Sequence, residues 1–502
     1  MAKAKITDGA ARMGSQALLP LLLSMAGPGI LSSLTAFLYM NINRKFVGDF
    51  VGPSALGVFG VMNPITNIVT ALSLFITVGG ASMLSLSLGR GDRERADRLF
   101  TNIVLQSVGM AGILSAVFLL FKHQLVAACG AAPGSEIYGY AVEYLEITAW
   151  GQVPNLINVG LASVIRAQGN TRYSMMATLI GAFVNVGLNF VVVAGMPLSL
   201  GVRGAAMATV ASQTVGALVS IAYFAFGKSP LRFLGLKAAS LWQMLSIAKM
   251  GIAPSIFQML SFVYNLIINR ALQNFGALDA RLNALSGGRG GDLALSIFTV
   301  VATLDGFVVT LGMGVNQAAS PIISYNYGAR RFARVRKASL LSQGLGFIFA
   351  IGIWLLAMLA PEPIFRFFGI ADPELLRFGA SAMRLSKPFL LFGIFQMLVS
   401  MYFSGIGKPE VATLVSLSRS GVFLIPGLLI FPRFFGLDGV FYANPVSDCL
   451  SLLVVGFLYY REMRRLSSLE EGEAIHDKGL IRELVFGKKR KNGRPQIERG
   501  QD

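Results

Sequence analysis

Charged residues and residues suited to covalent or redox chemistry are scarce in this chain. Of its 502 residues, 14% are charged and 54% are apolar, whereas soluble domains carry about a quarter charged residues. Cys129 falls in a predicted loop and Cys449 in an apolar run, which argues against a disulfide and excludes a cysteine metal site. His123 and His476 lie far apart in polar segments. We therefore expect no catalytic residues and no metal site, so an enzyme is not expected.

A phosphate-binding Gly-Lys-Ser/Thr loop is also missing, so direct drive by ATP is not expected. What the chain does contain is a series of apolar runs of roughly 20 residues, the length of a membrane-spanning helix. Backbone polar groups cannot face lipid unpaired, and the alternating segments of a barrel are absent, so the spans must be helices. The sequence predicts twelve spans: 17–40, 54–82, 99–121, 138–160, 172–194, 204–226, 252–274, 293–320, 338–360, 378–404, 410–431 and 438–460.

Lysine and arginine concentrate in alternate loops and after the last span. The net charge is +18, and most of the 43 basic residues fall on one predicted side. The bias of basic residues toward cytoplasmic loops places both termini in the cytoplasm. Basic loops beside an anionic leaflet account for the charge, so we expect contact with membrane lipids and no nucleic acid.

The two halves of the chain repeat each other. Gly169-Asn-Thr171 is answered by Gly407-Lys-Pro409, and Leu200–Gly204 by Phe435–Gly439. Each half has six spans with the same polarity, so the repeat is parallel, with an axis along the membrane normal. The fold class predicted is an all-α polytopic membrane protein with two six-helix lobes. The predicted divisions are a cytoplasmic N-terminus (1–16), an N-terminal lobe (17–226), a linker with an amphipathic interfacial helix (227–251), a C-terminal lobe (252–460) and a basic cytoplasmic tail (461–502).

Three segments carry a family resemblance. They are Gly314–Gly328 (GVNQAASPIISYNYG), Gly405–Pro409 (GIGKP) and Phe435–Asp448 (FGLDGVFYANPVSD). Together they resemble the prokaryotic branch of the multidrug and toxic compound extrusion (MATE) family. The resemblance implies a two-lobed secondary antiporter in the cytoplasmic membrane of a prokaryote. It implies export of amphipathic, often cationic small molecules in exchange for protons or sodium, without a cofactor. We expect a monomer.

The chain departs from the family pattern at two carboxylates. Members commonly carry Asp in span 1 and in span 5, where this chain has Asn43 and Asn189, with Asn185 one helical turn before Asn189. An amide cannot titrate, so these residues cannot exchange a proton. They can hydrogen-bond between helices, as buried amides in membranes do, or hold a polar substrate without ion coupling.

The remaining intramembrane charges lie in the C-terminal lobe. Asp305 lies about 18 Å from the outer end of span 8 at 1.5 Å per residue, and an isolated intramembrane acid indicates a functional site. The alternative is an ion pair with Lys387 of span 10. Arg419 and Asp448 fall at similar depth in the hairpin of spans 11 and 12, which predicts a structural ion pair.

Span 7 carries Gln258, Asn265 and Asn269 on one helical face. They are predicted to line a cavity of the C-terminal lobe or to pack against a neighbouring helix. Glu143 and Glu146 are weaker candidates than Asp305 for the functional carboxylate, because they lie nearer the outer end of span 4, where partial hydration is expected. Three alternatives stay open: a flippase for a lipid-linked headgroup, favoured by basic residues such as Arg384, an uncoupled carrier of the same family, and a membrane binding protein without transport.

Overall fold

The computed structural model describes residues 8–51, 53–194, 200–226, 229–370 and 372–470, and this part of the chain is helical with no strand. Nine of its helices are long and apolar enough to cross a membrane, and a bent helix pair adds another span. The helix running to Glu470 contains a hairpin that supplies two spans, since its backbone breaks at Gly436 (φ 57°). Glu136–Ala167 completes the set of twelve; its glutamates lower its hydropathy. The fold is thus the predicted all-α membrane protein with two six-helix lobes.

Spans 1–6 form the N-terminal lobe. Their helices are Leu18–Phe50, Pro53–Gly89, Arg93–Ala128, Glu136–Ala167, Thr171–Asn189 (continued by a π-helical turn, Phe190–Ala194) and Gly201–Ala225. Side-chain caps fix the helix starts at the predicted loops: Asp92 accepts from Arg95 N, Ser135 from Tyr138 N and Asn170 from Tyr173 N. The helices extend beyond most predicted spans because hydropathy detects only the apolar part of a helix that continues into water.

Spans 7–12 form the C-terminal lobe. The helices are Leu241–Leu278, Gly290–Gly328, Phe332–Leu359, the bent pair Pro373–Ser386 and Leu390–Gly405, then Pro409–Leu417 with a π-helical stretch Ser418–Leu424, and Ile425–Glu470. Short helices Ala280–Ser286 and Pro361–Phe367 lie in the connections. The last helix continues into the segment predicted as the tail and is described as far as Glu470; the rest of the tail lies outside the described residues.

The linker differs from its prediction. Its described part contains one 3-10 turn, Leu236–Ala238, and no separate amphipathic helix, while residues 227–228 lie outside the described residues. Ser240 caps the helix Leu241–Leu278 by accepting a hydrogen bond from Gln243 N. The apolar residues from Leu241 onward are therefore the first turns of span 7. Their sequence could not distinguish an interfacial helix from the start of a span because both present apolar and basic residues together.

The two lobes pack closely through glycines. A Cβ added at Gly29 of span 1 would lie 2.5 Å from the carbonyl oxygen of Gly314 in span 8. A Cβ added at Gly89 of span 2 would overlap the carbonyl oxygen of Tyr325. Small residues allow such close backbone approach between membrane helices. Spans 1 and 2 therefore meet span 8 at distances that a larger side chain would prevent.

A short helix, Asp8–Ser15, joins both lobes before span 1 begins. Arg331 donates to the carbonyl oxygen of Gly14, and Arg334 donates to that of Gln16 at 2.7 Å. From the N-terminal lobe, Gly169 approaches the same helix so closely that a Cβ would lie 2.7 Å from Gly9 O. We call the side of the molecule that carries this helix the terminal face.

Candidate functional site

The three candidate asparagines of the N-terminal lobe, Asn43, Asn185 and Asn189, form one hydrogen-bonded cluster. Asn189 Nδ2 donates to Asn43 Oδ1 at 2.5 Å and to the backbone oxygen of Asn185 at 2.8 Å. Asn43 Nδ2 donates to Thr209 Oγ1 at 3.4 Å, which extends the cluster from spans 1 and 5 to span 6. Asn185 and Asn189 are fully buried. The amides thus hydrogen-bond between helices, as one of the two interpretations of the sequence predicts.

The cluster retains unused hydrogen-bonding capacity. Asn185 Nδ2 and Asn189 Oδ1 are buried without a hydrogen-bond partner. A buried polar atom left unpaired costs about 1–3 kcal/mol. One donor and one acceptor side by side can receive a water molecule or a polar group of a ligand, but they cannot bind and release a proton.

The C-terminal lobe places Asp305 against Lys387. The lysine Nζ lies 2.5 Å from Asp305 Oδ2. The lysine side chain is 4% exposed, and the aspartate side chain is 37% exposed. Of the two groups proposed from sequence, the carboxylate is therefore partly exposed and its ammonium partner is buried.

A second ion pair lies close to the first. Arg419 Nε is 2.6 Å from Asp448 Oδ1, and both side chains are largely buried. Asp305 acts electrostatically on Arg419, and Lys387 acts on Asp448. The four residues Asp305, Lys387, Arg419 and Asp448 are here called the charge quartet. Its four formal charges sum to zero.

Local breaks in the helices position the two cations. Lys387 follows the helix Pro373–Ser386, at the 44° bend before Leu390–Gly405. Pro388 has no backbone N–H to donate and so favours the break, while its carbonyl accepts from Trp354 Nε1 at 2.9 Å. Arg419 lies in the π-helical stretch of span 11, a kind of distortion frequent at functional sites.

The three polar residues on one face of span 7, Gln258, Asn265 and Asn269, do not share a common environment. Gln258 Nε2 donates to Asn67 Oδ1 of span 2 at 2.8 Å, which links the lobes. Asn265 donates to the carbonyl oxygen of Ser261 in its own helix and is exposed. Asn269 is also exposed. Sequence reasoning missed Asn67, although a polar residue within the apolar run of span 2 was the available signal.

The glutamates of span 4 form exposed ion pairs. Arg203 lies 2.7 Å from Glu143, and Lys122 lies 2.6 Å from Glu146. Exposed pairs contribute about 0–1 kcal/mol. Within the described ranges no group of three or more His, Cys, Asp or Glu could hold a metal ion, and Cys129 and Cys449 are free thiols.

Two helical lobes that meet along glycine-lined interfaces, each with polar groups buried among its spans, define a two-lobed membrane transporter. Comparison with known proteins agrees with this class. Residues 28–191 and 277–430 match the MatE family, one match in each lobe, and the chain belongs to that family. Its members are transporters and not enzymes, as the sequence predicted.

Curated relatives match over most of their length. The multidrug export protein MepA of Staphylococcus haemolyticus is 23% identical over 441 residues, covering 88% of this chain and 93% of that protein. The protein of the same name from Staphylococcus aureus strain MSSA476 is 23% identical over 450 residues, with the same coverage.

Solved structures have the same fold. The MATE multidrug transporter DinF-BH is 29% identical with a TM-score of 0.79, covering 89% of this chain and 96% of that one. A MATE family transporter of the MOP superfamily in an outward-facing conformation has a TM-score of 0.81 at 22% identity, covering 92% and 99%. A MOP superfamily transporter from Pyrococcus furiosus has a TM-score of 0.80 at 22% identity, covering 92% and 98%.

Proposed function

We propose that this protein exports amphipathic, cationic small molecules across the cytoplasmic membrane of a prokaryote, with both termini in the cytoplasm. The lobes alternate access to the two sides, and uptake of a proton or a sodium ion drives export. Relatives described as multidrug export proteins support the export of varied small molecules. Basic residues on the terminal face, such as Arg331 and Arg334, support its assignment to the cytoplasm.

Asp305 is the exchange group in this proposal, and its accessible carboxylate is the observation that carries it. An antiporter needs a group that holds either the coupling ion or the substrate cation, and an intramembrane carboxylate meets that need. The N-terminal lobe has the amides Asn43 and Asn189 at the two positions that the family resemblance assigns to carboxylates, and an amide cannot bind and release a proton. The exchange is therefore assigned to the C-terminal lobe.

An aromatic pair between the lobes supports the choice of substrate class. The ring centroid of Phe307 in span 8 is 5.1 Å from that of Phe37 in span 1. Both rings are partly exposed. Aromatic faces attract organic cations and also stack on apolar rings. An aromatic cation can therefore stack on these rings, which lie on a different side of span 8 from Asp305.

The lobe contacts support an alternating-access cycle. The close approaches of Gly89 to Tyr325 and of the helix Asp8–Ser15 to both lobes lie at the terminal face. With that face in the cytoplasm, these contacts close the cytoplasmic side. Export then requires a second arrangement in which they separate.

The test is flux in liposomes with a pH gradient and a sodium gradient imposed separately. We expect one gradient to drive uptake of a cationic dye by the wild type, and Asp305→Asn to abolish that dependence. Asp292→Asn is the matched control, because Asp292 is an exposed acid at the start of the same helix. Equal gradient-driven uptake by wild type and Asp305→Asn would show that Asp305 is not the exchange group.

An uncoupled carrier is the second candidate, and one observation favours it. Lys387 already neutralises Asp305, so the empty protein holds a paired carboxylate without any bound ion. Flux that runs down the dye gradient and ignores both ion gradients would identify this alternative. The flippase alternative has less support, because Lys387 and Arg419 are paired with acids and the exposed Arg384 donates to the carbonyl oxygen of Met358.

A further inference from the structure

We propose that Lys387 is a tethered occupant of the cation position on Asp305, and that a cationic substrate binds by displacing its ammonium group. Lys387 then determines specificity, because every cation that binds must compete with it. The inference rests on the proposed function and deepens it by naming the residue that sets which substrates the C-terminal lobe accepts.

The exposures of the two side chains allow the exchange. The Asp305 side chain is 37% exposed, whereas the Lys387 side chain is 4% exposed. A ligand therefore reaches the carboxylate without first passing the lysine. The 2.5 Å contact shows that the ammonium occupies part of the space beside Oδ2 that an incoming cation would use.

The position of Lys387 allows it to withdraw. The residue lies at the bend between Pro373–Ser386 and Leu390–Gly405, where its N–H donates to Met383 O at 3.0 Å and its carbonyl accepts from Leu390 N at 3.3 Å, so withdrawal takes place by rotation of the side chain. Asp448 is the second acid that acts on its charge. After displacement, the ammonium remains within the field of Asp448, which Arg419 also neutralises. Tyr264 also faces Asp305 and donates no charge.

The charge balance predicts which cations succeed. The charge quartet is neutral when empty, so a bound monovalent cation raises its charge to +1. A small ion has only the carboxylate to offset this cost, with two protein cations close by. A cation therefore binds only where its interaction with the carboxylate exceeds that of the Lys387 ammonium, and an uncharged ligand does not compete with Lys387.

Binding and flux measured on the full chain in lipid nanodiscs and liposomes test the inference. The probes are tetraphenylphosphonium, a permanent aromatic cation, and triphenylphosphine oxide, an uncharged aromatic analogue. Lys387→Met keeps the length of the side chain and removes its charge. We expect it to lower the Kd for tetraphenylphosphonium by roughly tenfold or more, and to leave that for triphenylphosphine oxide within about twofold.

Three further variants separate displacement from general effects of charge and folding. Lys387→Arg retains a tethered cation and should keep the affinity of the wild type. Arg384→Met removes a nearby exposed charge that donates to Met358 O, so it should change neither probe. Combining Lys387→Met with Asp305→Asn should abolish the gain, because the gain requires the carboxylate.

The outcomes decide between the two proposals. Three results would overturn the role of Lys387 and leave the transport function intact. They are flux with an unchanged KM in Lys387→Met, an equal gain in affinity for the neutral probe, and an equal gain in affinity in Arg384→Met. Persistence of the gain without Asp305 also overturns it. Absence of binding and flux of tetraphenylphosphonium in wild type and Lys387→Met alike overturns the inference and the proposed cationic substrate together.

Discussion

The ammonium of Lys387 lies 2.5 Å from the carboxylate of Asp305, and the contact joins the bend in span 10 to the middle of span 8. The two side chains differ in exposure, because the lysine is buried and the aspartate is partly open. A change at one residue is therefore not equivalent to a change at the other. Removing Asp305 leaves the buried ammonium of Lys387 without its partner. Removing Lys387 leaves the partly exposed carboxylate of Asp305 without its partner.

This asymmetry predicts unequal effects on stability. Asp305→Ala should lower the free energy of unfolding by up to about 3–5 kcal/mol, the cost of leaving a buried charge without its partner. Lys387→Met should lower it by clearly less, because water reaches the remaining carboxylate. Chemical denaturation in detergent micelles measures both changes. A larger loss of unfolding free energy for Lys387→Met than for Asp305→Ala would contradict the greater burial of the lysine.

The asparagine cluster should be structurally important in the N-terminal lobe. Asn189→Ala removes the donor to Asn43 and Asn185, so it should cost about 1–3 kcal/mol of unfolding free energy through unpaired buried acceptors. Asn41→Ala is the control, because exposed Asn41 donates only to Phe37 O in its own helix; its effect should stay within about 0.5 kcal/mol. Equal losses of thermal stability in the two variants would argue against the cluster.

Two glycines of span 1 provide a matched pair for the lobe interface. Gly29→Ala places a Cβ 2.5 Å from Gly314 O, so it should destabilise the protein by about 1–3 kcal/mol through overpacking. Gly27→Ala meets nothing within 4 Å, and its better helix propensity should stabilise the protein by up to about 1 kcal/mol. Thermal unfolding of the two variants measures the difference. Similar shifts in both would mean that the spans do not pack as closely as described.

The arginines at the terminal face should protect the helix Asp8–Ser15. Met13 is fully buried there, and Asn326 Nδ2 donates to its carbonyl oxygen at 2.9 Å. In a background with Cys129 and Cys449 replaced by serine, a Met13→Cys thiol should react slowly with a water-soluble maleimide. Adding Arg331→Ala and Arg334→Ala should speed this reaction by about tenfold, equivalent to roughly 1.4 kcal/mol of easier opening.

Lys337→Ala is the control for that experiment, because its exposed side chain lies one turn further along the same helix. It should leave the reaction rate of the cysteine unchanged. If the arginine variants also leave the rate unchanged, the two guanidinium groups do not hold the helix in place.

The sequence by itself determined the class of protein and the number and order of its spans. Apolar runs report on a local property, the length of helix that lipid can surround, so span positions follow from composition alone. The repeat of Gly169 at Gly407 indicated two lobes of the same polarity. The approach of Arg419 to Asp448 was also predictable, because a short hairpin brings residues at equal distance from its turn to the same depth.

Tertiary structure alone decided which partners meet across distant spans and what each contact leaves exposed. Depth in the membrane made Lys387 one of the possible neighbours of Asp305, but hydropathy cannot define the rotation of either helix. The sequence placed Gln258 on a polar face of span 7, and only packing between lobes put it against Asn67. The prediction of a separate helix in the linker was wrong for a related reason. The cap at Ser240 makes the apolar residues from Leu241 onward the first turns of span 7. Local pattern determines where helices form, whereas side-chain contacts depend on how the helices turn and pack against one another.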